Sequence, residues 1–229
     1  MKKLALEIIA SFLLMILFIM LIMIIILSGR GYTKDNLEYR SKVIDLSENT
    51  QFDYLSKSVV QIFVSREGSA VFGTGFFISK DNKVVTNFHV IDGAAKIYVA
   101  LGDDKYAYEA YIFAFDKAND LAILSVPDVA THDYLPITLD VFKDENIYTC
   151  GFADEYTITQ GNVLDTKSLY KNNYYIDTSN VVMEGNSGGP AINENGEVVG
   201  IVTLGNSVST SLVPSYKLYS FIYNLNISL

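Results

Sequence analysis

A serine with glycines nearby on both sides lies in the segment 184–192, Glu-Gly-Asn-Ser-Gly-Gly-Pro-Ala-Ile. The serine and its glycines lead directly into an apolar stretch. Glycine accepts positive φ and leaves the Ser187 hydroxyl uncrowded on a tight turn. Such a turn can aim the backbone N–H groups of Gly185 and Ser187 at one point, where they would stabilise the oxyanion of a tetrahedral intermediate. The segment therefore predicts a nucleophilic serine with an oxyanion hole over Gly185, Asn186 and Ser187. The same composition also suits an ordinary turn.

A histidine and an aspartate further upstream favour the catalytic interpretation. His89 lies at the end of the apolar run 84–90, and Asp120 directly precedes the apolar run 121–124. A serine hydroxyl becomes a useful nucleophile when a neutral imidazole accepts its proton, and a carboxylate holds that imidazole in the required tautomer. The chain order His, Asp, Ser is one of three that unrelated folds use for such a triad. We therefore predict His89 as the general base, Asp120 as the orienting acid and Ser187 as the nucleophile.

The other residues with reactive side chains predict no further site. Two histidines and one cysteine are too few for a cluster of metal ligands, and the sequence contains no glycine-rich phosphate loop. We interpret His132 as a surface residue and Cys150, in the strand-like run 147–151, as a small buried core residue. Neither a metal nor a cofactor is expected. No lysine stands in a motif near Ser187, which argues against a Ser/Lys hydrolase.

Short β-branched and aromatic runs recur about every 10–15 residues from residue 59 onward, separated by Gly, Asn, Asp and Ser. This texture is typical of a barrel or a sandwich. A break near residues 127–145 divides the runs into two series of six. The apolar residues of the tail then fall at helical spacing, at Leu218, Phe221, Ile222 and Leu225, and predict a terminal helix. The predicted strands are 59–64, 75–78, 83–86, 96–101, 106–115, 121–126, 147–151, 157–164, 174–177, 189–193, 198–204 and 211–213.

These segments resemble the trypsin-like serine proteases of chymotrypsin fold, and most closely their HtrA (Do-like) branch. The resemblance implies an all-β fold of two six-stranded antiparallel β-barrels and a C-terminal helix, within a protease domain over residues 51–229. We expect barrel one at about 56–135, barrel two at about 140–213 and the helix at about 215–226. The chain ends soon after this helix, so we do not expect the PDZ domain that many HtrA proteins carry. The matching segments are 73–79, 85–90, 120–124, 185–190 and 196–201.

The resemblance also implies where a substrate binds. Residues 200–205 resemble the strand that pairs with the substrate backbone, and Thr203 is implied to donate its hydroxyl to Asp120. An extended peptide gains main-chain hydrogen bonds at such a strand edge. Val181 at the implied pocket floor carries no charge, which favours a modest aliphatic side chain over Lys or Arg before the scissile bond. The residues implied to bind substrate are Val181, Glu184, Thr203, Leu204, Gly205 and Ser211.

An apolar run near the N-terminus predicts a membrane anchor. Residues 8–27 carry no charge, and Ser11 is their only polar residue. About 20 apolar residues span the bilayer core, whereas a signal peptide has an apolar region of about 7–15 residues and a small-x-small cleavage site, which residues 26–29 lack. We predict a cytoplasmic tip and one transmembrane helix within residues 1–27. A polar linker over 28–50, with a short helix at 34–44, follows; a cleaved signal peptide is the alternative.

The formal net charge of −9 argues against nucleic acid or an anionic membrane surface as a partner of the part outside the anchor. We therefore predict a single-pass membrane protein whose catalytic domain lies outside the cytoplasm and hydrolyses extended or unfolded protein substrates through an acyl-enzyme. The resemblance implies a role in extracytoplasmic protein quality control or processing. The alternative is a non-catalytic, chaperone-like or peptide-binding module on the same fold. The presence of all three triad residues weighs against that alternative.

Overall fold

The computed structural model describes residues 42–43, 52, 54–102, 106–130, 132–153, 155–205 and 208–228. Almost all of the regular structure in these residues is β-strand. The elements are β1 Lys42–Val43, α1 Leu55–Ser58, β2 Val59–Arg66, β3 Ser69–Ser79, β4 Lys83–Thr86, α2 Phe88–Ile91, β5 Lys96–Leu101, β6 Tyr108–Asp116, β7 Leu121–Ser125, β8 Asn146–Phe152, β9 Tyr156–Tyr170, β10 Asn173–Thr178, β11 Pro190–Ile192, β12 Val198–Gly205, β13 Thr210–Pro214 and α3 Ser215–Asn224.

Barrel one closes in the strand order β2-β3-β4-β7-β6-β5, and all of its pairs are antiparallel. Successive side chains of a strand point to opposite faces, so alternate residues of β2 turn inward. Val60, Ile62 and Val64 are buried in one cluster with Phe77 and Leu124. This alternation explains why the β-branched runs of the sequence form strands with one buried face.

Barrel two contains β8 to β13 in the order β9-β10-β13-β12-β11-β8, and the pairing of β9 with β8 closes it. Apolar side chains from each of its six strands fill the interior: Ile147, Val163, Ile176, Ala191, Val199, Val202 and Leu212. β1 pairs with β9 as an additional strand. The two closed, six-stranded antiparallel barrels confirm the predicted all-β fold.

A third cluster of buried side chains combines residues of both barrels. Phe76 and Ile123 come from barrel one, Ile201 comes from barrel two, and Leu218 and Ile222 come from the terminal helix α3. Leu218 and Ile222 are four residues apart and lie on one face of the helix. Together with Phe221 and Leu225, which are partly buried against the same cluster, they account for the helical spacing of the tail.

The N-terminal predictions lie mostly outside the described residues. The apolar run 8–27 falls there entirely, and no helix in the described part of the chain is long and apolar enough to cross a membrane. The short helix predicted at 34–44 is wrong at Lys42 and Val43, which form β1 and pair with Gln160 and Thr159. A two-residue strand has no sequence pattern of its own, because its partner on β9 determines it.

Candidate active site

The pairing of β4 with β7 brings the predicted histidine and aspartate together. Thr86, at the end of β4, lies opposite Ala122, near the start of β7. In an antiparallel pair, the residues that follow one strand and precede the other emerge at the same end. His89 belongs to the single-turn helix α2 after β4, and Asp120 directly precedes β7. The register thus joins two motifs that are 31 residues apart in the chain.

The Asp120 carboxylate accepts three hydrogen bonds. The His89 backbone N–H donates to Oδ1 at 2.9 Å, His89 Nδ1 lies 2.8 Å from Oδ2, and the Thr203 hydroxyl donates to the same Oδ2 at 2.5 Å. An ionised carboxylate is only an acceptor, so Nδ1 carries the proton in this pair. In the neutral ring, Nε2 is then the basic nitrogen that can accept a proton. The pair thus has the tautomer that a general base requires.

The backbone and ionisation of Asp120 suit this role. Its φ is +56°, in the left-handed region that Asp and Asn adopt more readily than other residues with side chains. Burial raises the pKa of the carboxyl, but the hydrogen bonds from His89 and Thr203 and the charge of His89 outweigh burial, and the pKa lies below its ordinary value. The group is therefore a carboxylate throughout the neutral range.

The turn that carries Ser187 is bonded to the elements that hold this pair. Thr74 N–H on β3 donates to Ser187 O at 2.9 Å, Gly188 N–H donates to Val202 O at 2.8 Å, and Val202 N–H donates to Gly189 O at 2.9 Å. Val202 directly precedes Thr203, the hydroxyl donor to Asp120. Ser187 itself is partly exposed.

Gly188 is required where the turn meets β4. Its φ is +88°, and a Cβ there would lie 2.2 Å from both Thr74 O and Thr86 Oγ1. The Thr86 hydroxyl donates to Thr74 O at 2.8 Å, and His89 lies three residues after Thr86. The contact explains why glycine follows the serine: only a residue without a side chain lets the turn approach the strand that leads to His89.

The three predicted oxyanion residues differ in whether their backbone N–H groups already donate a hydrogen bond within the protein. Asn186 N–H donates to Met183 O at 3.1 Å, and the Asn186 side chain is buried. Asn186 was therefore wrongly included as an oxyanion donor, because its amide is used inside the turn. Within the described part of the chain, the amides of Gly185 and Ser187 donate to no protein acceptor. Gly185 has a φ of +99°, and the Thr74 hydroxyl donates to its carbonyl at 2.8 Å.

The predicted pocket residues separate onto two faces of barrel two. Gly205 pairs with Thr210, whose side chain is buried, and a Cβ on Gly205 would lie 2.3 Å from Val182 Cγ2. Leu204 pairs with Ser211 on the opposite face, because side chains alternate along β13. Ser211 therefore shares a face with Leu204 and not with Gly205. Val181 is half-buried and Glu184 is exposed beside the serine turn.

Arg66 is a residue of this region that the sequence did not point to. It ends β2, and its Nη2 donates to the backbone carbonyls of His89 at 3.0 Å and Val90 at 3.2 Å. The Arg66 guanidinium thereby holds two carbonyls of α2, while Asp120 accepts from the His89 N–H. A single arginine before a hairpin has no recognisable motif, and only the closed barrel brings it to α2.

His132 and Cys150 lie outside this constellation. His132 is half-exposed, and its ring has partners: it stacks on buried Phe77 with centroids 3.8 Å apart, and its Nε2 lies 2.8 Å from Asn82 Oδ1. Cys150 is completely buried, as predicted, and burial raises the pKa of its thiol. No group of three His, Cys, Asp or Glu side chains among the described residues could hold a metal ion.

Two closed six-stranded barrels of this kind, with the His–Asp pair beside their junction, define a chymotrypsin-like protease fold. Residues 73–201 match the trypsin-like peptidase domain family. The chain belongs to this family, and its homologues include HtrA and DegP-like serine proteases.

Individual relatives and solved structures agree with this assignment. The chain is 42% identical over 139 residues to a probable periplasmic DegP-like serine endoprotease of Marinomonas sp. (strain MWYL1), a match covering 56% of this chain and 29% of the relative. It is 34% identical over 175 residues to the mitochondrial serine protease HTRA2 of Bos taurus, covering 70% of this chain and 38% of the relative. The chain thus spans well under half the length of these relatives.

Among solved structures, the serine endoprotease from Yersinia pestis superposes with a TM-score of 0.69 at 25% identity, covering 80% of this chain and 67% of that one. The active form of the Rv3671c protease from M. tuberculosis gives a TM-score of 0.70 at 24% identity, covering 80% and 87% of the two chains. The second likeness supports the fold alone.

Proposed function

We propose that this chain is a serine endopeptidase in which Ser187, His89 and Asp120 act as one catalytic unit. The observation that carries the proposal is the bonded chain from Thr203 through Asp120 to His89, with the Ser187 turn bonded to the neighbour of Thr203. Family membership supports the class of reaction. The relatives' names as serine endoproteases support peptide bonds as the substrate.

The proposed reaction proceeds through an ester intermediate. Ser187 Oγ attacks the scissile carbonyl carbon while His89 Nε2 accepts the hydroxyl proton, and the amides of Gly185 and Ser187 donate to the oxyanion. Collapse of this intermediate breaks the C–N bond, and the proton passes from His89 to the leaving amine. A water molecule then attacks the ester with His89 again as base, which releases the acid and restores Ser187. Asp120 stabilises the imidazolium in both steps without accepting its proton.

We propose that an extended peptide binds along the end of β12. β11 pairs with β12 only at Val198, Gly200 and Ile201, so within the described residues the 203–205 segment has β13 on one side and no strand on the other. An added strand would complete this edge. In this arrangement Val181, Glu184, Thr203, Leu204 and Gly205 surround the substrate residues nearest the scissile bond.

We also propose that residues 8–27 anchor the protein in the membrane, with the barrels outside the cytoplasm. The length of the uncharged run supports a span, and the periplasmic description of DegP-like relatives supports the location of the barrels. Work on extended or unfolded proteins in quality control or processing is the corresponding cellular role.

One labelling experiment tests the proposed catalytic serine and the proposed membrane anchor together. Membranes from cells that express the full chain would be washed with carbonate and treated with a fluorophosphonate probe, which reacts with activated serines. We expect a labelled full-length protein in the washed membranes and no label after Ser187→Ala. Peptide binding without any label would favour the non-catalytic module, whereas a labelled protein found only in the soluble fraction would contradict the anchor alone.

Arg66 should matter for turnover because it binds the carbonyl of His89. We expect Arg66→Met to lower kcat/KM about tenfold, mainly through kcat, since a charge-assisted hydrogen bond of this kind contributes about that factor. Arg66→Lys should recover part of the loss. Lys96→Met is a matched control, because Lys96 lies on β5 opposite Ser65 and is exposed. Equal kcat values for Arg66→Met and the wild type, by steady-state kinetics, would contradict the positioning role.

A further inference from the structure

A row of side chains on the outer face of barrel two leads away from the proposed substrate strand. Leu204 on β12 pairs with Ser211 on β13, and Ser211 pairs with Asp177 on β10. The adjacent row of Val202, Leu212 and Ile176 lies in the barrel interior. Because side chains alternate between faces along each strand, the row from Leu204 to Asp177 points outward.

The Asp177 carboxylate is held in place by a hydrogen bond and has no counter-charge within the described part of the chain. The Ser211 hydroxyl donates to its Oδ1 at 2.6 Å, which draws the carboxylate towards β13 and β12. Among the described residues, no Lys, Arg or His side chain lies within 4 Å of the Asp177 carboxylate as an ion-pair partner. Its cross-strand neighbour on β9 is Asp165, a second acid. Like charges opposite each other are unfavourable, and a cation bound at Asp177 would relieve this repulsion.

Leu204 lies between this carboxylate and the free edge of β12. Its side chain is 46% exposed and offers an apolar surface directly beside that edge. Lys and Arg side chains lay their aliphatic stems along apolar surface and keep the charged group in a polar setting. A basic side chain of a bound peptide would therefore cover Leu204 with its stem and direct its charge towards Ser211 and Asp177.

The alternation of a bound strand determines which substrate residues can do this. The residue before the scissile bond would enter the pocket beside Gly205 and Val182, on the face opposite to Leu204. The second and fourth residues before the bond then project on the Leu204 face. The aliphatic preference expected for the residue directly before the bond concerns the Gly205 face. It is therefore independent of what the Leu204 face selects.

We propose that Asp177 is a specificity-determining residue that selects peptide substrates with Lys or Arg at the second or fourth position before the scissile bond. This inference rests on the proposed peptidase activity and on peptide addition to β12. Ser211 acts through Asp177 as a positioning residue, because its hydroxyl fixes the carboxylate on the substrate side. The substrate class is therefore a cationic extended segment.

The test compares fluorogenic peptides that differ at one position. Each of the four residues before the scissile bond would be arginine or citrulline, its neutral analogue of similar shape, in otherwise identical peptides. For the wild type we expect kcat/KM to be about three- to fivefold higher with arginine at the second or fourth position, the size of effect typical of a partly exposed ion pair. Asp177→Asn should reduce this ratio to about one while keeping an acceptor for Ser211. High salt should reduce the ratio in the wild type.

Asp165→Asn is the matched control, since it removes the same charge one strand further from β12 and should retain most of the preference. A wild-type enzyme that cleaves both peptides equally, or prefers arginine only at the first or third position, would overturn the inference. An arginine preference that persists in Asp177→Asn would overturn it as well. Absence of cleavage and of fluorophosphonate labelling in the wild type would instead refute the proposed activity, so the two failures are distinguishable.

Discussion

Ser187→Ala is expected to lower peptide turnover by about 10⁴–10⁶, because no other group can form the ester intermediate. His89→Ala should be nearly as damaging, since the hydroxyl is a weak nucleophile without its base. The double variant should be little worse than either single one, because residues that act as a unit lose their effect together. The measurement is kcat/KM for a fluorogenic peptide, with fluorophosphonate labelling as a second readout.

The fold should survive the Ser187→Ala change. The turn is held by backbone bonds of Ser187, Gly188 and Gly189, none of which involves the serine hydroxyl. Thermal unfolding of the variant should therefore match the wild type within a few degrees. Ser220→Ala, on an exposed part of α3, is the matched control and should leave turnover unchanged. Peptide cleavage retained by a pure Ser187→Ala protein would refute the assignment of the nucleophile.

Much of the framework was predictable because the periodic signals and the barrel strands coincide. Each of the twelve predicted runs overlaps one strand of the two barrels. The strand predicted to begin at Gly75 is longer than predicted. β3 begins at Ser69, and its first four residues are exposed or half-buried and do not alternate between apolar and polar side chains. The pairing of Ser69 with Arg66 and of Val71 with Val64 on β2 determines that first half.

The contacts within the site were less predictable, since they depend on register. The β12–β13 pairing shifts at Thr203, between Val202 and Leu204. This bulge decides which face each following residue takes and places Ser211 away from Gly205. Local sequence gives no sign of that shift.

Long-range partners were beyond sequence reasoning for the same reason. Arg66 is 23 residues from His89, and Asp177 is 34 residues from Ser211. Neither residue stands in a motif, and each acquires its partner only when strands distant in sequence become neighbours. The order of the three catalytic candidates was readable because each one stands beside an apolar run: His89 follows a strand, whereas Asp120 and Ser187 precede one.

Asp120→Asn is expected to reduce turnover by about 10⁴ while leaving the fold intact. Asparagine tolerates the left-handed φ of +56° that Asp120 adopts, so the backbone should remain in place. An amide has one oxygen to accept hydrogen bonds and an NH₂ group that only donates. It cannot accept from the His89 N–H, the His89 ring and the Thr203 hydroxyl as the carboxylate does. Where the NH₂ group faces Nδ1, the proton moves to Nε2 and the base is lost.

Thr203→Val separates this effect from a general loosening of the site. It removes one hydrogen bond to Asp120 but leaves the carboxylate charge and the His89 contact, so we expect a loss of only about tenfold. Steady-state kinetics on both variants, with circular dichroism to verify folding, gives the comparison. Equal losses for Asp120→Asn and Thr203→Val would mean that Asp120 contributes packing and not the tautomer of His89. A far larger loss for the asparagine variant is the outcome that a carboxylate-oriented imidazole requires.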